Sequence, residues 1–560
     1  MKVPSEHITY FGETDARNKR VPFGIKSKDR LKHVYVIGKT GMGKSTLLEN
    51  MAIQDIQNGE GVAFVDPHGK SADLLLEYVP QERIADVVYF APFDIDYPIS
   101  FNVMEDVGPD KRHLVVNGLM SAFKKLFGEE SFSDRMQYIL QNTILALLEY
   151  PGATMLGINK MLVDKVYRNR VIASVTDPSV KTYWTKEYAG YTERFAAEAI
   201  PAIQNKIGQF TSNPLVRNII GQEKSSFDFR NLMDEGKIMI INLSKGRVGE
   251  SNANLLGSLL ITKIYLSAMS RADKNEAELN KLPNYYLYVD EFQSFANESF
   301  ADILSEARKY KLNLTMAHQY IEQMSEEVRA AVFGNVGTMI AFRVGAYDAE
   351  VLEKEFAPTF TAEDLVNLGS YQIYLKLMID GVSSQPFSAS SLPPIEKPEV
   401  SLVEEIITSS RRLYAKPKSK VEDDIRMWHE KELPTGGVLS NKPKAIDIRG
   451  KREERKDKPQ EPTKEEPKQD FKPPQAVSLN KLKTENKNNQ RKPDPKHVSD
   501  LREALKSVVG GDINKGIKEN QKESLAKPLG HPMSKSDKNL GSQVGNGPST
   551  DELKKILDAE

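Results

Sequence analysis

Cysteine is absent from all 560 residues, which rules out disulfides, thiolate nucleophiles and cysteine-ligated metal centres. An excess of charge of either sign is also missing, since 77 Lys and Arg face 78 Asp and Glu for a formal net charge of −1. A polyanion could therefore be met only by a local basic patch that acid elsewhere offsets. Apolar runs such as Ile144-Leu145-Ala146-Leu147-Leu148 fall far short of the roughly 20 residues that cross a bilayer. Met1 to Glu6 lacks the apolar core of a signal peptide. The expectation is a cytoplasmic protein with no span of its own, associated with a membrane only through partners.

What the chain does have is one strongly patterned stretch, Val34 to Thr46. Four apolar or β-branched residues lead into Gly38-Lys39-Thr40-Gly41-Met42-Gly43-Lys44-Ser45-Thr46, and Leu47, Leu48, Met51, Ala52 and Ile56 follow at helical spacing. Gly38, Gly43, Lys44 and Ser45 fill the G-x-x-x-x-G-K-[ST] pattern of a phosphate-binding P-loop. Glycines let the backbone curl so that several N–H groups converge on one anion. The helix opening near Lys44 adds its free N–H groups and the positive end of its dipole. Lys44 can reach the β- and γ-phosphates, and the Ser45 hydroxyl can ligate Mg²⁺. No Asn-Lys-x-Asp guanine signature occurs, because Asn205-Lys206-Ile207-Gly208 lacks the aspartate. ATP with Mg²⁺ is the expected ligand pair.

The rest of the chain divides by pattern. A lead-in runs to about Lys32, followed by strand, helix and strand signals ending at Val87-Val88-Tyr89-Phe90, with a turn at Asp66-Pro67-His68-Gly69. Such a rhythm implies a parallel sheet covered by helices. Residues 1–104 are read as the first part of a P-loop ATPase domain. Across 105–235 strand signals vanish and amphipathic helices take over, giving an inserted all-helical domain. Strand character resumes at Lys237 to Leu243, Tyr285 to Val289, Leu312 to Ala317, Thr338 to Val344 and Tyr371 to Met378. Residues 236–395 thus form the second part of the ATPase domain, and 396–434 a helical annex. Residues 435–560, rich in Lys, Glu, Asn, Gln, Pro and Ser, bury too little apolar surface to offset the entropy of ordering and are expected to be disordered. The fold class is α/β, a RecA-like P-loop NTPase sheet with a helical insertion and a disordered hydrophilic C-terminal tail.

A second site signal is Asp290-Glu291 at the end of the apolar run Tyr285 to Val289. A carboxylate there can hold Mg²⁺ opposite Ser45, and the adjacent Glu291 can deprotonate the attacking water. Two acids capping a helix would be the structural alternative. Asp66 competes for the metal, but Asp290 alone carries the adjoining glutamate expected of a hydrolase. Gln319 ends the following strand as a γ-phosphate sensor, and His318 beside it reads as structural. Arg308 and Arg343 are candidates for an arginine finger offered to a neighbouring subunit, or surface ion-pair residues.

Taken together, Gly38 to Thr46, Phe64-Val65-Asp66-Pro67-His68-Gly69, Val88-Tyr89-Phe90-Ala91-Pro92, Asn242-Leu243-Ser244-Lys245-Gly246, Asp290-Glu291-Phe292 and Ala317-His318-Gln319 resemble the TraD/TraG-like coupling ATPases of type IV secretion and conjugation, within the FtsK/HerA motor superfamily. The resemblance spans roughly residues 20 to 395. It implies a homo-hexameric ring that moves DNA through a central channel by ATP hydrolysis. It also implies type IV secretion or membrane partner proteins, and the catalytic set Lys44, Glu291 and Gln319 with Ser45 and Asp290 at the metal. DNA binding enters through this resemblance alone, because isolated basic residues such as Lys245 and Arg247 are usually just solvated. Two alternatives stand beside the DNA motor: a secretion-apparatus ATPase acting on protein or assembly, and a nucleotide-switched scaffold. Limited proteolysis should trim the full chain to a core ending near residue 434. Protection of the segment beyond it would contradict the expected disorder.

Overall fold

A computed structural model describes residues 7–431 except 16–18, 106–107 and 298; the segment 435–560 expected to be disordered lies outside the described residues. The core is one 11-stranded sheet. Its strands are β1 (Ile8–Thr14), β2 (Pro22–Lys26), β3 (Val34–Ile37), β4 (Gly61–Asp66), β5 (Val87–Phe90), β6 (Ile238–Asn242), β7 (Tyr285–Val289), β8 (Leu312–His318), β9 (Thr338–Ala341) and β10 (Gln372–Lys376). A small ribbon of β11 (Met378–Ile379) and β12 (Val382–Ser383) stands apart, and β13 (Phe387–Ser391) returns to the sheet. The order is β2-β1-β13-β10-β9-β3-β8-β7-β4-β6-β5. Seven strands, from β9 to β5, are mutually parallel. The four on the other flank pair antiparallel.

Burial explains why the parallel strands read as continuous apolar runs. Every residue of β3, β4, β5, β6 and β7 is buried, as a sheet covered on both faces requires. Alternation along each strand sorts the side chains between two cores. Tyr35, Ile37, Ala63, Val65, Met239 and Leu287 join one core. Val34, Val36, Val62, Phe64, Ile240 and Tyr288 join the other. The second core is covered by α1 (Lys44–Gln57) and α2 (Lys70–Leu76), through Leu47, Leu48, Met51, Ala72 and Leu75.

Between β5 and β6 the described residues form helices and no strand. Their apolar faces, including Leu119, Phe123, Ile139, Ile144, Trp184 and Ile207, belong to the same core cluster as Tyr35 and Val65. These helices therefore pack on one face of the sheet without a separating polar layer. Helices Val403–Tyr414 and Lys418–Lys431 follow the last strand. The first of them lays Ile406 and Ile407 on the α1 side of the sheet.

The structure corrects two expectations. Residues before Lys32 are more than a lead-in, because β1 and β2 form a hairpin that closes the antiparallel flank. Strand β13, which has no strong apolar run, was not anticipated; it alternates half-buried and buried residues between β10 and β1. Pairing, more than hydrophobicity, makes it a strand.

Two buried histidines make the fold acid-sensitive. His33 accepts a hydrogen bond at Nδ1 from the Leu314 amide (3.1 Å) and therefore presents its Nε2 proton to the Leu304 carbonyl (3.2 Å). Burial, with the Arg308 charge behind it, lowers its pKa to about 4. His318 is held by the Tyr35 hydroxyl at 3.0 Å and is lowered to about 3, first by burial and then by the Lys44 charge. An unfolded chain takes up these protons near pH 6.5 while the folded chain refuses them, so stability drops as pH falls from 6.5 towards 4. His33 alone should cost about 2 kcal/mol between pH 7 and 5. Thermal midpoints measured across that range check this, and His33→Asn, which keeps an acceptor for the Leu314 amide, should flatten the dependence.

Candidate active site

The carboxyl ends of β3, β8, β7 and β4 open on one rim because these strands are parallel neighbours in register. β3 runs into the glycine loop at residues 38–43, and α1 begins at Lys44. Gly43 holds φ at +117° at the N-cap of α1, a region nearly closed to residues with a Cβ. Lys44 curls back so that its ammonium donates to the carbonyls of Gly38 (2.7 Å) and Lys39 (3.2 Å). Burial lowers the Lys44 pKa, and the charges of Glu291 and Asp290 work against that shift.

Ser45 donates its hydroxyl proton to Asp290 Oδ2 at 3.0 Å, a contact between residues 245 positions apart. Asp290 is 3% exposed, and its pKa is raised to about 6 by burial and then by the charges of Glu291 and Asp66. A buried carboxylate facing two other acids is chemically suited to a cation. Among the described residues no cluster of three or more His, Asp or Glu could hold a metal. Mg²⁺ would thus take Ser45 and Asp290 from the protein and its other ligands from nucleotide phosphate and water. Asp66 is engaged elsewhere, accepting from the amides of His68 (2.7 Å) and Ala72 (2.9 Å), and so fixes the turn into α2.

Glu291 is also buried and sits at φ +48°. Its carboxylate makes no side-chain cap for the short turn that follows. Instead, Gln319 at the end of β8 donates its amide to Oε1, and Gln293 donates to Oε2 at 2.6 Å. Thr40 of the glycine loop donates to Gln319 Oε1 at 3.1 Å. A chain of contacts thus runs from the loop through Gln319 to Glu291. His68 Nε2 stands 3.9 Å from Glu291 Oε1.

The predicted residues are not all gathered. Lys44, Ser45, Asp290, Glu291 and Gln319 meet at one rim, and Thr46 begins the body of α1. Arg343 lies next to its own glycine loop, its carbonyl accepting from the Lys39 amide at 2.8 Å. Arg308 is exposed on the turn before β8. Seven residues of strand, about 20 Å, separate it from the rim that carries Gln319. Within one chain it is not brought to the site. Gln293 and Tyr371 were missed by sequence reasoning. Gln293 carries no motif, and Tyr371 approaches the loop only through the fold, its amide donating to the Met42 carbonyl at 3.3 Å.

Residues 10–264 match the family described as the central domain of the helicase HerA. No curated protein matches the chain. Among solved structures, the plasmid coupling protein TrwB in complex with the non-hydrolysable ATP analogue ADPNP is similar at 14% identity and a TM-score of 0.50, over 71% of this chain and 96% of that one. TrwB in complex with ADP and Mg²⁺ aligns at 14% identity and a TM-score of 0.49, over 68% and 89%. VirB4 of Thermoanaerobacter pseudethanolicus aligns at 13% identity and a TM-score of 0.44, over 70% and 98%. At such identities the first of these likenesses bears on fold, a P-loop NTPase sheet. No described helix is long and apolar enough to cross a membrane.

The raised Asp290 pKa has a signed consequence. The folded chain holds this proton up to about pH 6, whereas an unfolded aspartate releases it near 4, so folding loses stability as pH rises through that window. At neutral pH the cost is about 3 kcal/mol. Asp290→Asn should therefore raise the thermal midpoint of the nucleotide-free protein while weakening Mg²⁺-dependent nucleotide binding. Melting curves and titrations with a labelled ATP analogue read the two opposite effects.

Proposed function

We propose that this chain, whose residues 10–264 match the central domain of the helicase HerA, is an ATP-driven DNA translocase of the conjugative coupling type that works as a hexameric ring. The observation that carries the reading is the convergence of the Ser45–Asp290 bond with the Thr40–Gln319–Glu291 contacts at one rim. A phosphate loop by itself binds nucleotide; joined to a buried carboxylate pair it also has the groups to hydrolyse it. That TrwB has been captured with the ATP analogue ADPNP supports ATP as the ligand here.

In this mechanism the loop amides and the N-terminal end of α1 receive the phosphates. Lys44 exchanges its two carbonyl contacts for the β- and γ-phosphate oxygens. Mg²⁺ at Ser45 and Asp290 would supply charge neutralisation across the phosphates. Glu291 takes the proton of the attacking water. Gln319, which already contacts both the glycine loop and Glu291, couples the γ-phosphate to the position of that base. Arg308, at the opposite rim from its own site, is the better placed of the two arginines to serve a neighbouring subunit; Arg343 lies beside its own loop.

Glu291→Gln should keep ATP binding within a few-fold and lower turnover by about 10²–10⁴. Near-wild-type hydrolysis would remove Glu291 from its role. ATPase rates with and without DNA, together with solution mass in the presence of nucleotide, test the translocase. Rates indifferent to DNA in a monomeric protein would sink it.

A further inference from the structure

We propose that Tyr371 is the platform on which the base of the bound nucleotide stacks. The proposal rests on the nucleotide-binding reading above and adds to it the group that recognises the base. Tyr371 lies between helix Ala362–Asn367 and β10. The residue is 56% exposed and its backbone holds φ at +65°. Both features are unfavourable for folding. An exposed ring gains little from burial, and a tyrosine at positive φ carries strain that glycine or asparagine would relieve.

The surroundings nevertheless hold this conformation firmly. The Tyr371 amide donates to the Met42 carbonyl at 3.3 Å, and its carbonyl accepts from the amide of Ser391 (2.8 Å) and from the Ser391 hydroxyl (3.3 Å). The glycine loop is thus tied through Tyr371 to the antiparallel flank. A methyl group placed on Gly43 would sit 3.1 Å from the tyrosine ring, so the ring lies directly against the glycine that precedes Lys44.

Strand order then says which end of a nucleotide meets it. Glu291 and Gln319 approach the loop from β7 and β8 on one side of β3, whereas Tyr371 approaches from β10, beyond β9 on the other side. The hydrolysable end of the triphosphate must face Glu291. The nucleoside end is thereby directed to the opposite side of the loop, where the exposed ring stands. A neutral ring face beside an anion-binding loop suits the apolar face of a purine.

Calorimetric titration of the full chain with ATP and, separately, with inorganic tripolyphosphate, both with Mg²⁺, tests this. Tyr371→Phe keeps the ring and should hold ATP affinity within about threefold. Tyr371→Gly removes the ring while relieving the backbone, and should weaken ATP binding about tenfold with tripolyphosphate binding unchanged. The tripolyphosphate arm also reports that the variant is folded. Undiminished ATP affinity in Tyr371→Gly, or equal losses for both ligands, would overturn the platform. A wild-type chain that binds neither ligand would instead overturn the nucleotide reading beneath it.

Discussion

The insertion of β8 between β3 and β7 is the constraint on which the site depends. All three strands are parallel and in register, so their carboxyl ends arrive at one rim from positions far apart in the chain. Parallel neighbours lie about 4.8 Å apart, and the intervening strand sets the spacing between loop and acid pair. Ser45 can then reach Asp290 across it, and Gln319 stands between Thr40 and Glu291. The order also gives the site a direction: acids enter from one side of the glycine loop and the antiparallel flank from the other.

That flank is bound to the nucleotide helix by a buried charge pair. Arg30, ahead of β3, grips Asp55 of α1 through two hydrogen bonds of 2.7 and 2.9 Å, both side chains almost wholly excluded from solvent. Its guanidinium also donates to Tyr288 of β7 and Thr9 of β1, and it lies 3.8 Å over the Tyr286 ring. One buried cation thereby joins the edge hairpin, the helix that follows the glycine loop and the strand that delivers Asp290. Taking two charges out of water is costly, and loss of either partner would leave the other uncompensated. A shift of α1 would have to carry that whole cluster with it.

The site itself is stabilised less than the frame around it. Three carboxylates, Asp66, Asp290 and Glu291, are buried near one another, and Asp290 bears the consequence in its raised pKa. Gln319 and Gln293 satisfy the two oxygens of Glu291 with neutral amides, which supply hydrogen bonds without cancelling charge. A cation bound there would relieve the remaining repulsion, and its binding would return the local cost that the frame accepts.

Much of this was legible in the sequence. The glycine loop announced itself because its chemistry demands fixed residue types at fixed spacing. The parallel strands did so because burial on both faces leaves uninterrupted apolar runs such as Tyr285 to Val289. The pairing of Asp290 with Ser45 was anticipated as chemistry, while its 3.0 Å distance came from strand order, which no local pattern encodes. The hairpin before Lys32, β13 and Tyr371 were invisible for a common reason. Each owes its place to a partner distant in sequence: the hairpin to β13, β13 to two flanking strands, and Tyr371 to a loop more than three hundred residues earlier. Gln293 is different, since its partner Glu291 is only two residues away and what hid it was the absence of any motif. Local composition determined which segments could bind phosphate and which could be strands; long-range pairing alone decided what stands on either side of the phosphate, because contact between distant residues is a property of the packed chain.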